Sequence, residues 1–363
     1  MARFRYIITL IVFFVMPALT ISFGQTINKG RDKYVLLTMP YNMRPLTLYR
    51  GQFQVNAGYK FAVWTQSYNS EGDIVFLKTK GTGSVYHYYF VDLRYGLTDF
   101  IEIGAETNFI RRGVRSESVT YAASAVSTSD RISVNKLTEV KGMGDILLMT
   151  TVRPPMKYRW FDLSLTGGLF LPSSKYEPQK PTNTVVSTSA ATNSFTVNYH
   201  YNYKNGYGVP VYLVSASFKM SIKKFSSEAD WTFKTPVKEG KSIRWEETLV
   251  DKAFSYFDKS YRYLLSNAYI LNTSLHYQAT GWFDVNLNGS FQRTKGGWTE
   301  YWGNKYINPE TRLFTIEPGF ELQISPSLTI YQVAGFPLKG KNSYAPFYLF
   351  TTIRFSNFLS FGK

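Results

Sequence analysis

A two-residue alternation in the stretch 86–113, YHYYFVDLRYGLTDFIEIGAETNFIRRG, restricts what this chain can become more than any other feature. Ile101, Ile103, Ala105, Thr107 and Phe109 alternate there with Glu102, Gly104, Glu106 and Asn108. A period of two puts the first set on one face of a β-strand and the second on the other. Neither face suits a soluble sandwich, because one carries large apolar groups and the other carries bare carboxylates. The turn Gly96-Leu97-Thr98-Asp99 joins this strand to the one before it. The same unit recurs along the chain: strand, tight turn, strand, long polar loop. Such repetition is expected of a transmembrane β-barrel.

The alternation is traced in order. Phe53, Val55, Ala57, Tyr59, Phe61 and Val63 face away from Gln52, Gln54, Asn56, Gly58 and Lys60. Segments 142–153 and 161–172 pair across Pro154-Pro155, and 209–220 meets 225–234 across 222–224. Segments 266–278 and 283–293 form the next hairpin, followed by strands at 313–324, 328–338 and 346–355. The fold class is therefore all-β: an antiparallel up-and-down barrel of about 12 strands, each long enough to cross a bilayer at a tilt. Short connections alternate with long ones at 113–140, 173–207, 235–265 and 294–310, so the short turns are assigned to the periplasm and the long loops to the exterior. Leu249, Ala253, Phe257 and Tyr261 lie at helical spacing, but a loop packed over the rim is the preferred reading of 235–265. Pro318 interrupts a strand and predicts a bulge. A twelve-stranded lumen is hard to fill with side chains, so the apolar face is expected to point outward. Aromatic residues make up 17% of the chain, with 28 Tyr and 28 Phe, and supply that face and its interfacial girdles.

Residues 1–24 read as a signal peptide, with Arg3 and Arg5 before the apolar run Ile7 to Val15 and small residues at Ser22 and Gly24. Residues 25–49 are expected to be an irregular periplasmic segment and 50–363 the barrel. No later run is apolar enough for a membrane helix. These features place the protein in the outer membrane of a Gram-negative-type bacterium, with the barrel-assembly machinery as an expected partner. Cysteine is absent, which removes disulfides and thiol chemistry. The formal net charge is +16, and removal of Arg3 and Arg5 leaves about +14. After export, nucleic acid drops out as a partner of that charge. Outer-membrane lipid, lipopolysaccharide and anionic solutes remain.

No catalytic, cofactor or metal site is expected. Histidine occurs only at 87, 200 and 276, and no HExxH or phosphate-loop motif is present. With a turn centred on Thr280, His276 falls opposite Asp284 and Ser274 opposite Asn286. Those four residues resemble a hydrolase group, but near a periplasmic turn they read better as a hydrogen-bonded cluster of the lumen. The same parity argument aligns every early hairpin. It places Arg94 opposite Glu102, Arg153 opposite Asp162, Lys219 opposite Glu228 and His276 opposite Asp284. The candidate site is thus a belt of lumenal ion pairs just inside the periplasmic turns.

LRYGLTDFIEIG (93–104), GMGDILL (142–148) and GGLFLP (167–172) resemble the outer-membrane proteins of the phenol-degradation meta-pathway family. These are barrel channels distantly akin to fatty-acid transporters. RPLTLYRGQFQVNAGYKF (44–61) resembles the first strand of their relatives, whereas the Asn-Pro-Ala plug signature of the fatty-acid transporters is absent. The resemblance implies a channel for passive passage of small, hydrophobic or amphipathic molecules, and no enzyme. Two other functions fit the residues: an anion-preferring porin, from the basic balance, and a surface-binding barrel that uses its long loops.

Overall fold

The computed structural model describes residues 45–76, 84–122, 131–156, 160–173, 182–189, 194–203, 206–250, 253–301 and 303–359. The expected signal peptide, most of the segment 25–49 and the turn at 157–159 lie outside them. Twelve strands form the wall: Gln52–Tyr68 (β1), Ser84–Gly96 (β2), Ile101–Ala122 (β3), Ile146–Val152 (β4), Phe161–Leu171 (β5), Val211–Ile222 (β6), Phe225–Pro236 (β7), Asn267–Gln278 (β8), Phe283–Lys295 (β9), Thr311–Ser325 (β10), Leu328–Lys341 (β11) and Ser343–Phe358 (β12). Each pairs antiparallel with the next, and β12 returns to β1 from Gln52↔Phe358 to Trp64↔Pro346. The sheet is therefore closed, and no edge is left exposed in the wall.

Exposure settles the facing. Ile103, Val285 and Leu287 are 40%, 46% and 43% exposed, while their neighbours Glu102, Asp284 and Asn286 are 2%, 9% and 3% exposed. A soluble protein would invert these values. In a barrel that crosses lipid, the outer apolar band needs no protein partner, and the polar side chains satisfy one another inside.

The turns correct the expected register. In the first hairpin Gly96 pairs with Glu102 and Arg94 with Gly104, two residues away from the expected Arg94 opposite Glu102. In the fourth, His276 pairs with Asn286 and Gln278 with Asp284, so His276 does not stand opposite Asp284. Both turns share one chemistry. Leu97 and Thr98 N–H both donate to the Ile101 carbonyl, and Ala279 and Thr280 N–H both donate to that of Phe283. The Thr98 and Thr280 hydroxyls accept from the N–H two residues on, at Phe100 and Trp282. A threonine-closed turn of this kind moves the centre of each hairpin on by one residue, to Asp99 and Gly281, and so shifts the pairing by two. Arg153 is likewise displaced, since Val152 pairs with Leu165. The Ile222–Phe225 turn is tight, with Lys223 at φ 54, and there Lys219 does pair with Glu228. Because each shift is by two, every side chain keeps its face.

The long connections are not irregular. β3 continues past β4 and pairs with Arg131–Met143, which runs parallel to Ser194–Tyr203. Ser194–Tyr203 also pairs with Thr182–Ser189. Gly240–Val250, Ala253–Leu264, Trp298–Tyr301 and Asn304–Ile307 make a separate four-stranded sheet, so the helical spacing in 235–265 forms a hairpin and not a loop or helix. These segments are rich in Ser, Thr, Val and Tyr, which favour extended backbone. Pro318 sits in the ladder opposite Leu287 without a change of register against β9, and the shifts of register in β10 fall against β11, between Phe314 and Thr315 and between Gln323 and Ser325.

Candidate functional site

The lumen is built by the inward positions of all twelve strands, and its charged groups fall into two layers. Near the short turns, Arg94 reaches Asp92 at 2.8 Å and Glu102 at 3.3 Å. Arg153 lies 3.6 Å from Asp162, and Lys219 lies 3.0 Å from Glu228. Arg354 on β12 meets Glu321 on β10 at 3.6 Å, a pair absent from the sequence reading, which set no register for the last three strands. The arginines are long enough to span the two-residue offset in the first two hairpins. His276 is placed differently: its Nε2 lies 3.1 Å from the Ser274 hydroxyl on its own strand. Asp284 is paired in register with Gln278 and Glu321. The trio Ser274, His276 and Asp284 is thus not assembled in the order a nucleophilic triad needs.

The segment 45–50 folds across the lumen at this level. The Leu46 N–H donates to Asp162 Oδ2 at 2.8 Å, and the Leu48 N–H donates to Glu102 Oε2 at 2.8 Å. Arg50 N–H donates to Asp99 in the first turn at 3.0 Å. Thr47 is only 3% exposed. Burial raises the Tyr49 phenol above its ordinary value, against the opposing pull of Arg153. A cavity of about 240 Å³ remains between this strap and the wall, bounded on the far side by Lys219, Glu228 and Arg354. Two of the belt carboxylates therefore serve twice, once for an arginine and once for a strap amide. Nothing in the alternation pattern signals that role, because the strap carries no periodicity.

Above the belt, Asp230 accepts from the hydroxyls of Ser215, Ser217 and Thr232 at 2.5, 2.7 and 2.8 Å. Glu317 accepts from Tyr348, and the Lys60 ammonium sits 3.4 Å above the same Tyr348 ring. Higher still, a chamber of about 460 Å³ is lined by Leu147, Phe170, Leu213 and Ile270, together with Glu106 and Lys234. The Lys234 ammonium lies 4.8 Å from the Phe170 ring. Apolar walls beside one cation, Lys234, and two carboxylates, Glu106 and Asp145, can hold a molecule that has an apolar body and a polar end.

The charge of the lumen differs from that of the chain. In the belt layer Glu102, Asp162, Glu228, Asp284 and Glu321 stand against Arg94, Arg153, Lys219 and Arg354. Above it Asp92, Glu106, Asp230 and Glu317 stand against Lys60 and Lys234. Among the described residues, carboxylates exceed cations in both layers. No group of His, Asp or Glu among them is arranged to hold a metal ion.

An outer membrane channel from Pseudomonas putida F1 superposes on this barrel with a TM-score of 0.56 and 13% identity, over 85% of this chain and 97% of that one. The protein shares the fold of an outer-membrane channel. A mutant of the monoaromatic hydrocarbon channel TodX aligns over 86% of this chain and 91% of its own, at 10% identity and a TM-score of 0.46. The toluene transporter TbuX from Ralstonia pickettii aligns over 86% of this chain and 90% of its own, at 9% identity and a TM-score of 0.43. No family model matches the sequence. No curated protein matches it either.

Proposed function

We propose that the protein is an outer-membrane channel for the passive passage of small molecules, and that its lumen favours cationic and uncharged amphipathic solutes over anions. The observation that carries this reading is the excess of lumenal carboxylates over cations inside a closed barrel. Selectivity follows the charge that lines the path and not the formal charge of the whole chain. The same excess counts against an anion-preferring porin, whose motive was the net +16. The apolar chamber above the belt supports amphipathic solutes. Swelling of proteoliposomes in isotonic arginine or isotonic glutamate tests the proposal, since the two solutes are close in size and opposite in charge. Faster swelling in arginine is expected. Faster swelling in glutamate would reverse the selectivity, and no swelling in any small solute would remove the channel.

A further inference from the structure

Outside the barrel, on three adjacent strands, cations replace the apolar band at the long-loop end. Arg293 on β9 pairs in register with Arg312 on β10, which pairs in turn with Lys341 on β11. Lys339 stands opposite Phe314, and Lys295 lies two residues beyond Arg293 on the same face. With strands spaced by nearly 5 Å, the row of three is about 10 Å wide. Like charges directly opposite one another destabilise a sheet unless an anion lies between them. Glu310 supplies part of that anion. It accepts from Arg293 Nε at 2.8 Å and Nη2 at 3.2 Å, and from Arg312 Nε at 2.5 Å. Lys295, Lys339 and Lys341 are exposed, and among the described residues no carboxylate pairs with them.

The level of this patch is set by what lies beneath it. Phe291, Phe314 and Phe336 are 37%, 40% and 42% exposed on the same three strands, and Val285 and Leu287 continue the apolar face below. The cations begin where the lipid-facing band stops, which is the height of headgroups. In the same row on β7 and β8 the outward residues are Phe233 and Tyr269, so the patch ends at β9 on that flank.

We propose that this wall docks a lipid of the outer leaflet whose headgroup carries phosphates, of the lipopolysaccharide type, with its acyl chains along Phe291, Phe314 and Phe336. The Arg293 fork is held by Glu310, so half-exposed Arg312 and the three lysines supply the charge that meets phosphate oxygens. The site rests on the outer-membrane reading above, with the long-loop end outward. The binding of a bis-phosphorylated lipid A, and of the same lipid with its phosphates removed, is measured by native mass spectrometry on the full chain in detergent. The wild type is expected to retain the phosphorylated lipid and to release the other. Arg312→Ser with Lys341→Ser is expected to weaken retention about tenfold or more. Lys339→Glu, a single exposed change, is expected to weaken it several-fold with the heat-modifiable migration of the folded barrel intact. Lys223→Ser with Lys224→Ser, at the opposite end, leaves it unchanged. Equal retention of the two lipids, or equal retention by the variants, overturns the site. Binding of inorganic phosphate without the lipid overturns it in favour of a free-anion site. A protein that stays monodisperse without detergent would instead reject the membrane placement, and a folded, lipid-binding barrel without conductance would reject only the channel.

Discussion

Leu287 and Ser290 lie three residues apart on β9 and face opposite ways, the first into lipid at 43% exposure and the second inward, where its hydroxyl donates to Asn272 Oδ1 at 2.9 Å. An arginine at 287 must enter hydrocarbon and is expected to cost about 2–4 kcal/mol, while one at 290 enters a polar lumen and costs roughly 1 kcal/mol or less. Urea titrations of folding into lipid vesicles compare the two, and similar costs would reject the facing. Glu102 carries a second expectation, because it accepts both the Leu48 amide and the Arg94 guanidinium. Glu102→Gln removes the charge and keeps one acceptor oxygen, so either the Leu48 amide at the middle of the strap or Arg94 loses its partner. Single-channel conductance should rise and anion permeability should increase, and a trace identical to wild type contradicts both. Glu310 lies outside the spanning strands. Hydrogen bonds from Arg293 and Arg312 hold its carboxyl down to about 2, from an ordinary value of 4.5. The folded-state value is depressed, so its contribution to stability is present above about 4.5 and is lost as pH falls through about 2. The melting temperatures of wild type and Glu310→Gln should therefore differ at pH 6 and converge near pH 2.

At the scale of elements, the wall strands were legible, and of the turns only the one at 222–225 gave its register correctly. Ile101–Phe109 and Phe283–Phe291 alternate cleanly because one side meets lipid and the other meets water, so the pattern sets facing without any alignment of strands. Register depends on turn width, and spacing alone could not show that Thr98 and Thr280 each close a turn through a side-chain hydroxyl. The pairs Arg94–Glu102 and Arg153–Asp162 form only because arginine reaches across the offset, whereas the shorter His276 does not meet Asp284 in register. The strands outside the wall were hidden for a different reason: Thr182–Ser189 and Ser194–Tyr203 lie in a stretch rich in Ser, Thr, Asn and Tyr, a composition that reads as a polar loop. Close approach of β10 and β11 was also invisible. A Cβ added at Gly319 would lie 2.2 Å from the Gln332 carbonyl oxygen, which backbone cannot yield, whereas Gly281 has nothing within 4 Å. Gly319→Ala is expected to cost about 1–3 kcal/mol and Gly281→Ala well under 1. Equal midpoints in the same urea titration would contradict that packing.

For the whole molecule, the formal charge and the working charge have opposite signs. The net +16 of the chain coexists with a described lumen in which carboxylates outnumber cations in both layers. Part of the positive excess sits on the outer wall at Arg293, Arg312, Lys339 and Lys341, where it faces headgroups and not solute. A barrel separates these two environments by the thickness of one sheet, and only the inner one lines the path. The most direct measurement is the reversal potential of the reconstituted protein in a planar bilayer under a tenfold gradient of potassium chloride. A sign corresponding to greater potassium than chloride permeability, weakened in Glu102→Gln, is expected. A chloride-selective potential, or a wild-type protein that inserts without conducting, would contradict a cation-favouring channel.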